Sequence, residues 1–253
     1  MRLVRFRRDD RIATGVLEDD HVHPLRGTFF ENPVPTGERL SLAEVRLLAP
    51  TIPSKVVCVG RNYQEHAEEL GNEVPEEPLI FLKPSTAVTG PGDPIPLPTL
   101  SHQVEHEGEL AVVIGRLARH VPAEEAGRFI LGYTCGNDVT ARDLQRADGQ
   151  WTRAKGFDGF CPLGPWIETA LDPTDVGVEC RVNGERRQYG RTSELAFGVG
   201  TIVEYVTRVM TLLPGDVLMT GTPAGVGPLS PGDVVEVEVE GLGVLSNEVV
   251  PGD

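Results

Sequence analysis

Two glutamates separated by one residue open the most chemically suggestive stretch of this chain. Residues 105–115 read EHEGELAVVIG. In a strand, residues two apart share a face, so Glu107 and Glu109 point the same way, in line with Ala111 and Val113. The run after Glu109 is continuously apolar, which predicts a buried face. Two neighbouring buried carboxylates repel each other unless they are protonated or neutralised. A hard cation bound through oxygen resolves that conflict, and Mg2+ suits a site of a few carboxylates plus waters. The competing arrangement is an edge strand with both acids in solvent, and spacing alone does not choose between them. A third oxygen ligand is available at Asp138, which follows Cys135-Gly-Asn and stands at the mouth of an expected helix. An aspartate there serves equally as a helix cap.

A second pattern invites a different chemistry. His102-Gln-Val-Glu-His106 matches the H-x-x-E-H form of some zinc peptidases. That chemistry needs both histidines on one helical face. Here the match lies between a proline-rich loop and a strand, with Gly108 two residues on, so no helix is expected.

Lysine is scarce: of 23 basic residues only Lys55, Lys83 and Lys155 are lysines. Coding bias or adaptation to heat explains the excess of arginine. Under either, a retained lysine is a candidate for a role that needs a compact, titratable ammonium.

The elements that must position these groups follow from the pattern. Residues 3–6, 12–17 and 21–25 alternate apolar and polar, a small antiparallel meander. Residues 32–37 lead to 41–49, either a short capped helix or another strand. A soft boundary at residues 50–54 divides a small N-terminal β-rich module, 1–52, from a catalytic domain, 53–253. Residues 55–60 and 79–83 read as strands. Between them Asn62 caps a helix, with Glu65 as capping-box partner and Gly71 as its stop. The proline-studded run 91–98 cannot be a central strand. Residues 109–114 form a strand, 122–131 a helix with proline near its first turn, and 139–147 a short helix. The clearest helical stripe is Ile202, Val203, Val206, Val209, Met210 and Leu213 within 201–213. In the C-terminal third, Pro-Gly-Asp triplets begin at Pro214, Pro231 and Pro251, and two of them introduce the β-rich runs 217–220 and 234–239. Strands outnumber helices and do not alternate regularly with them. The fold class is therefore α+β and β-rich, a mixed roll or sandwich, not a doubly wound sheet.

Bulk properties narrow the function classes. A chain of 253 residues, 40% hydrophobic with mean hydropathy -0.14, supports one substantial core and at most a small extra module. A net charge of -15 repels phosphate backbones and anionic lipid, so no nucleic-acid or membrane partner is expected. Cys58, Cys135, Cys161 and Cys180 show no C-x-x-C pairing and fit a reducing cytosol. No apolar run approaches the ~20 residues a membrane span needs, and no secretory leader pattern opens the chain. The expected location is the cytoplasm.

Several blocks, in order and spacing, resemble the fumarylacetoacetate hydrolase family over residues 55–250. They are CVGRNYQEH (58–66), FLKPST (81–86), EGELAVVIG (107–115), NDVTARDLQ (137–145), WTRAKGF (151–157), VNGERRQ (182–188) and LMTGTPAGVG (218–227). The resemblance implies a β-roll core, a homodimer, and Mg2+, for which Mn2+ or Ca2+ can substitute, held by Glu107, Glu109 and Asp138. It also implies a His/Glu pair on a mobile lid helix, matching His66 and Glu69. Their i, i+3 spacing puts both on one face, so the carboxylate can orient the imidazole, with Glu65 and Glu68 as nearby rivals. Lys155 matches the family's active-site lysine, expected to meet a substrate carboxylate or developing oxyanion. Arg142 and Gln145, one turn beyond Asp138 on the same expected helix, either reach substrate oxygens or form a solvated face. The loop at 220–227 offers the Gly221 N–H and the Thr222 hydroxyl to a carboxylate, and lacks the lysine of a phosphate loop. Lys83 either lines the pocket or flanks a strand end, and Arg61 and Tyr63 are placed at the lid hinge.

The chemistry so implied acts on a small 2-oxo or enol carboxylic acid chelated by the metal. Lys155 adds positive charge where an enolate develops, and lid closure brings His66 and Glu69 over the substrate. Activation of water hydrolyses an acylpyruvate, proton relocation isomerises a dienol, and a β-keto acid such as oxaloacetate decarboxylates on the metal. Motifs do not choose among these. The N-terminal module and a bacterial-type composition favour an isomerase, or the linked decarboxylase, of aromatic catabolism. Its expected substrate is 2-hydroxyhepta-2,4-diene-1,7-dioate or 5-carboxymethyl-2-hydroxymuconate, with acylpyruvate hydrolase the alternative. A metal-stabilised binding protein on the same fold predicts a broken constellation, and no member is missing here.

Overall fold

The structure, a computed structural model, describes residues 1–31 and 33–252; Asn32, at the start of the 32–37 stretch, and Asp253, closing the third Pro-Gly-Asp triplet, lie outside them. Long-range strand pairing dominates. The main sheet runs in the order Val34–Pro35, His21–Arg26, Arg11–Glu18, Arg2–Arg8, Cys161–Glu168, Ile130–Asn137, Gly108–Ile114, Val217–Met219, Val56–Gly60, Leu79–Lys83. A five-stranded sheet orders Ile95–Leu97, Gly243–Pro251, Val234–Val239, Gly177–Val182 and Glu185–Arg191. The architecture is the expected strand-rich α+β one.

The strand Gly108–Ile114 is buried throughout and shows why its sequence is continuously apolar. Leu110, Val112 and Ile114 pack in one core with Cys180, Val237 and Leu245 of the second sheet. Ala111 and Val113 face the other way, into a cluster with Cys161, Leu163 and Met219. A third, smaller core of Val4, Phe6, Leu17, Val22 and Leu40 sits inside the N-terminal meander. That meander joins the main sheet, where Arg2 pairs with Glu168 and Leu3 with Ile167.

Several local expectations need correction. Residues 41–49 hold both alternatives in succession. Ser41 and Glu44 form a capping box around the 3-10 turn Leu42–Glu44, and the strand Arg46–Leu48 follows. Residues 122–131 form no α-helix: a 3-10 helix spans Ala123–Arg128, and the strand Ile130–Asn137 begins two residues later. The helix expected over 139–147 is Arg142–Asp148, preceded by the short strand Thr140–Ala141. Asp138 is therefore neither its cap nor on it. The striped helix is Val199–Val209; Ile202, Val203 and Val206 are buried, whereas Val209 and Leu213 are exposed. Ile95–Leu97 is an edge strand, as its prolines require. The H-x-x-E-H match runs from a bend at His102 into the strand Val104–His106, where His106 Nδ1 is 2.9 Å from Gln188 Oε1.

Candidate active site

The acids are brought together by register. Gly108 pairs with Asn137 across two antiparallel strands, so the residues just outside that pair, Glu107 and Asp138, meet at the sheet end. The Asp138 N–H donates to the Glu107 carbonyl at 2.8 Å. With Glu109 they form a buried triad whose carboxylate oxygens lie within 4.8 Å of one another.

Buried cations surround this cluster. Lys155 Nζ donates to Glu107 Oε2 at 2.9 Å and to Asp138 Oδ2 at 2.7 Å, and stands 4.8 Å above the Phe81 ring. Lys83 Nζ donates to Asp138 and, at 2.9 Å, to the Val139 carbonyl. Arg142 donates to Glu105 at 2.8 Å, to Glu107, and to Gln145 Oε1 at 2.7 Å. Burial lowers the Lys155 ammonium's affinity for its proton, yet Asp138 and Glu107 outweigh that and push it up to about 12. Burial likewise works against ionised Glu107, but Lys155 and Arg142 hold its carboxyl well below the usual range.

Glu109 is different. Burial, then the charges of Asp138 and Glu107, push its carboxyl well above the usual carboxylate range. Among the described residues its one hydrogen bond is the Gly221 N–H at 2.7 Å, and no cation pairs with it. Three buried cations therefore face four buried acids, and the unmatched acid belongs to an all-oxygen triad. That donor set fits a hard divalent cation.

The helix Gln64–Glu69 closes over the triad. Its last turn ends as foreseen at Gly71, whose φ is +69°. The Gly71 and Asn72 N–H groups return to the Glu68 and Ala67 carbonyls at 2.9 and 2.8 Å, a Schellman closure. Its start differs from expectation. Tyr63 occupies the cap position without a side-chain bond, and Glu65 is exposed. Asn62 instead faces inward. Its amide donates to the Thr220 carbonyl at 2.7 Å and the Phe197 carbonyl at 3.0 Å, and its oxygen accepts the Phe197 N–H at 2.8 Å. Of the three helix acids, Glu69 reaches the imidazole: Oε2 is 3.3 Å from His66 Nδ1. Glu68 accepts from Gln64 at 2.8 Å.

A cavity of about 70 Å³ separates His66 from the acids. Arg61, Arg142, Gln145, Lys155 and Thr222 line it with the triad. Tyr63, Lys83 and Gly221 do not. Lys83 is fully buried behind Asp138, Gly221 is turned to Glu109, and the buried Tyr63 hydroxyl has no hydrogen-bond partner among the described residues. Thr222 is committed, its hydroxyl donating to the Gly108 carbonyl at 2.8 Å and accepting from Gln188 at 2.7 Å. Glu105, Gln188 and Trp151 were given no role in the sequence reading, and Asn62 only that of a helix cap. For Glu105 a signal existed: it shares a strand face with Glu107 in the same acidic run.

Comparison with known proteins gives concordant findings. A family model described as Fumarylacetoacetate (FAA) hydrolase C-terminal matches residues 55–250, and one described as Rv2993c-like, N-terminal matches residues 1–50. The chain is similar to the crystal structure of 5-carboxymethyl-2-hydroxymuconate delta-isomerase from Mycobacterium smegmatis, with 54% identity and TM-score 0.94 over 99% of this chain and 100% of that one. It is also similar to maleylpyruvate hydrolase from Sphingobium sp. SYK-6 in complex with manganese (II) ion and pyruvate, with 32% identity and TM-score 0.84 over 100% of both chains. Human mitochondrial oxaloacetate tautomerase FAHD2A is 46% identical over 224 residues, which take in 83% of this chain and 71% of that protein.

Proposed function

The chain belongs to the fumarylacetoacetate hydrolase family, an enzyme family, and from that premise we propose a divalent-metal-dependent isomerase of a small 2-oxo or 2-hydroxydienoic dicarboxylic acid. The candidate substrates are 5-carboxymethyl-2-hydroxymuconate and 2-hydroxyhepta-2,4-diene-1,7-dioate, of aromatic catabolism. One observation carries the reading: the His66 imidazole and the carboxylate triad line one cavity.

Glu107, Glu109 and Asp138 would hold Mg2+, or Mn2+ in its place. When bound, the ion supplies a Lewis acid for the carboxylate and 2-oxo oxygens of the substrate. Lys155 is fixed as a cation beside Glu107 and Asp138, where it can stabilise an enolate oxygen. Neither Lys155, pushed up to about 12, nor Glu107, held low, exchanges a proton readily near neutral pH. His66 is left to take a proton from one carbon and return it to another, a 1,3-shift that needs one base. Glu69 orients the imidazole. Arg142 and Lys83 act as positioning residues that hold Glu107 and Asp138. Gln145, bonded to Arg142, and the Gly221–Thr222 turn shape the substrate wall, and Tyr63 belongs to the hinge. Exclusion of water by the helix over bound substrate would favour proton transfer over hydrolysis.

Hydrolysis of an acylpyruvate is the second reading, and likeness to the maleylpyruvate hydrolase over the full chain supports it. In either case residues 53–253 carry the chemistry and residues 1–52 buttress its sheet. The proposed setting is a homodimer in the cytoplasm; among the described residues no helix is long and apolar enough to cross a membrane.

The test is turnover of 5-carboxymethyl-2-hydroxymuconate, an acylpyruvate and oxaloacetate, followed by absorbance with Mg2+ or EDTA, for the native chain and His66→Ala. Metal-dependent turnover of the muconate that disappears in His66→Ala supports the isomerase. Turnover confined to the acylpyruvate makes the protein a hydrolase. Loss of CO2 from oxaloacetate that survives His66→Ala makes it a decarboxylase.

A further inference from the structure

Three permanently or strongly cationic side chains line the cavity: Arg61, Arg142 and Lys155. Two are committed. The Arg142 nitrogens are taken by Glu105, Glu107 and Gln145, and Lys155 is shared between Glu107 and Asp138. Among the described residues, the Arg61 guanidinium has neither a hydrogen-bond nor an ion-pair partner. It is half-buried, so its want of a partner is not simply a matter of full solvation.

The backbone around Arg61 is pinned on both sides. Gly60 ends a strand and pairs with Leu79, and Asn62 is clipped to Thr220 and Phe197. Arg61 itself has φ +57°, in the left-handed region that a long L-residue seldom adopts. Such a conformation persists only where its surroundings impose it, and it is commonest at ligand clamps and switches. Among the described residues, no hydrogen bond or ion pair of the side chain offsets its cost.

We infer that Arg61 receives a second carboxylate of the substrate, remote from the 2-oxo end, so that the cavity selects 2-oxo dicarboxylic acids over monocarboxylic acids of equal length. This rests on the 2-oxo acid reading above. A guanidinium matches a carboxylate bidentately and keeps its charge at any working pH. The triad and Lys155 provide for the 2-oxo carboxylate end. No other unpaired cation lines the cavity among the described residues to take a second one. Because Arg61 lies three residues before the lid helix Gln64–Glu69, the same ion pair ties the far end of the substrate to the base of the lid.

The probes are two saturated acids of one length, 2-oxopimelate and 2-oxoheptanoate, titrated calorimetrically into Mg2+-loaded protein. The native chain should bind the diacid on the order of tenfold to a hundredfold more tightly, as expected for a charge-assisted pair. Arg61→Ala should abolish that preference, lowering diacid affinity far more than monoacid affinity. Arg61→Gly accepts a positive φ freely and reads the same effect should Arg61→Ala fold poorly. Diacid should also protect the amides of residues 64–70 from exchange in the native chain, and not in either variant. A preference that survives in both variants, equal loss of affinity for both acids, or no preference in the native chain overturns the inference. Failure of the native chain to bind either acid overturns the 2-oxo acid reading itself, and the role of Arg61 with it.

Discussion

The Glu69 carboxylate accepts the Gly225 N–H, at 3.1 Å from Oε1 and 3.2 Å from Oε2, while Oε2 stands 3.3 Å from His66 Nδ1. One side chain thus orients the imidazole and fastens the lid helix to the loop whose Gly221 N–H reaches Glu109. Gly225 makes this possible with φ +99°, and a Cβ there would lie 2.1 Å from the Arg187 carbonyl oxygen.

These two roles of Glu69 separate by substitution. Glu69→Gln keeps an acceptor for Gly225 but loses the charge beside His66, so kcat should fall about a hundredfold with little change in helix protection. Glu69→Ala should lose a similar factor and also speed amide exchange across residues 64–70. Identical exchange in both variants would remove the tether from the account.

Glu109 makes cation binding pH-dependent. Burial, with Asp138 and Glu107 nearby, raises its carboxyl well above the usual range, so binding a cation must expel a proton. Affinity for Mg2+ should fall as pH drops. The calorimetric enthalpy should differ between buffers of unlike ionisation heat, and Glu109→Gln should abolish that difference and weaken binding about a hundredfold. For the metal-free chain the sign reverses. A raised carboxyl contributes stability that is full below the unfolded value near ~4.3 and is lost as pH rises through the folded one. The melting temperature of Glu109→Gln should therefore gain on the native chain with rising pH in EDTA.

Far from the cavity, Asp216 should set part of the acid limit of stability. It is fully buried, accepts from Ser54 Oγ at 2.6 Å, Ser54 N at 3.0 Å and Leu213 N at 2.8 Å, and pairs with Lys55. Burial works against its charge, but the Leu213 N–H, Lys55 and Ser54 outweigh that and hold its carboxyl below the usual range. A depressed carboxyl contributes stability above the unfolded value near ~3.9, lost as pH falls through the folded one. Asp216→Asn should cost about 2–3 kcal/mol at pH 7, and the gap in chemical denaturation should narrow below about pH 4. A pH-independent gap would contradict this.

Asn62→Ala should uncouple the lid from its support. It removes three buried hydrogen bonds to Thr220 and Phe197 and leaves their backbone groups unsatisfied, at a cost of about 2–3 kcal/mol. Asn62→Asp, near-identical in shape, retains the acceptor but loses the amide donors to Thr220 and Phe197, so it should restore little. A melting temperature unchanged in Asn62→Ala would exclude the clip.

The sequence showed what local periodicity encodes. Alternation along residues 105–115 placed Glu107 and Glu109 on one face, and the family resemblance, not spacing alone, singled out Glu69 over Glu65 and Glu68 as the partner of His66. What it concealed were choices among distant partners. Asn62 has the chemistry of a helix cap, yet its amide bridges backbone groups 135 and 158 residues away. Arg142 looked free to meet substrate, but Glu105 lies 37 residues earlier and claims one of its nitrogens. Residues 122–131 carry a proline that suits an α-helical first turn and a 3-10 turn alike, and strand pairing from Ile130 settled the matter.

The seam between Arg2–Arg8 and Cys161–Glu168 bears on how a ribosome must make this protein. The first strand emerges early, and Arg46–Leu48 soon covers Arg5, Phe6 and Arg7 from one side while Arg11–Glu18 covers the other. Arg2 and Leu3 must wait for Glu168 and Ile167, more than 160 residues later in synthesis. The nascent chain therefore carries a short unfinished edge until that later strand is made. Its Arg2 is the kind of charge that keeps such an edge from joining a neighbour. When the late strand arrives, the same Arg2 settles over Trp166, 4.9 Å from its ring centre, and the guard of the open edge becomes part of the closed seam.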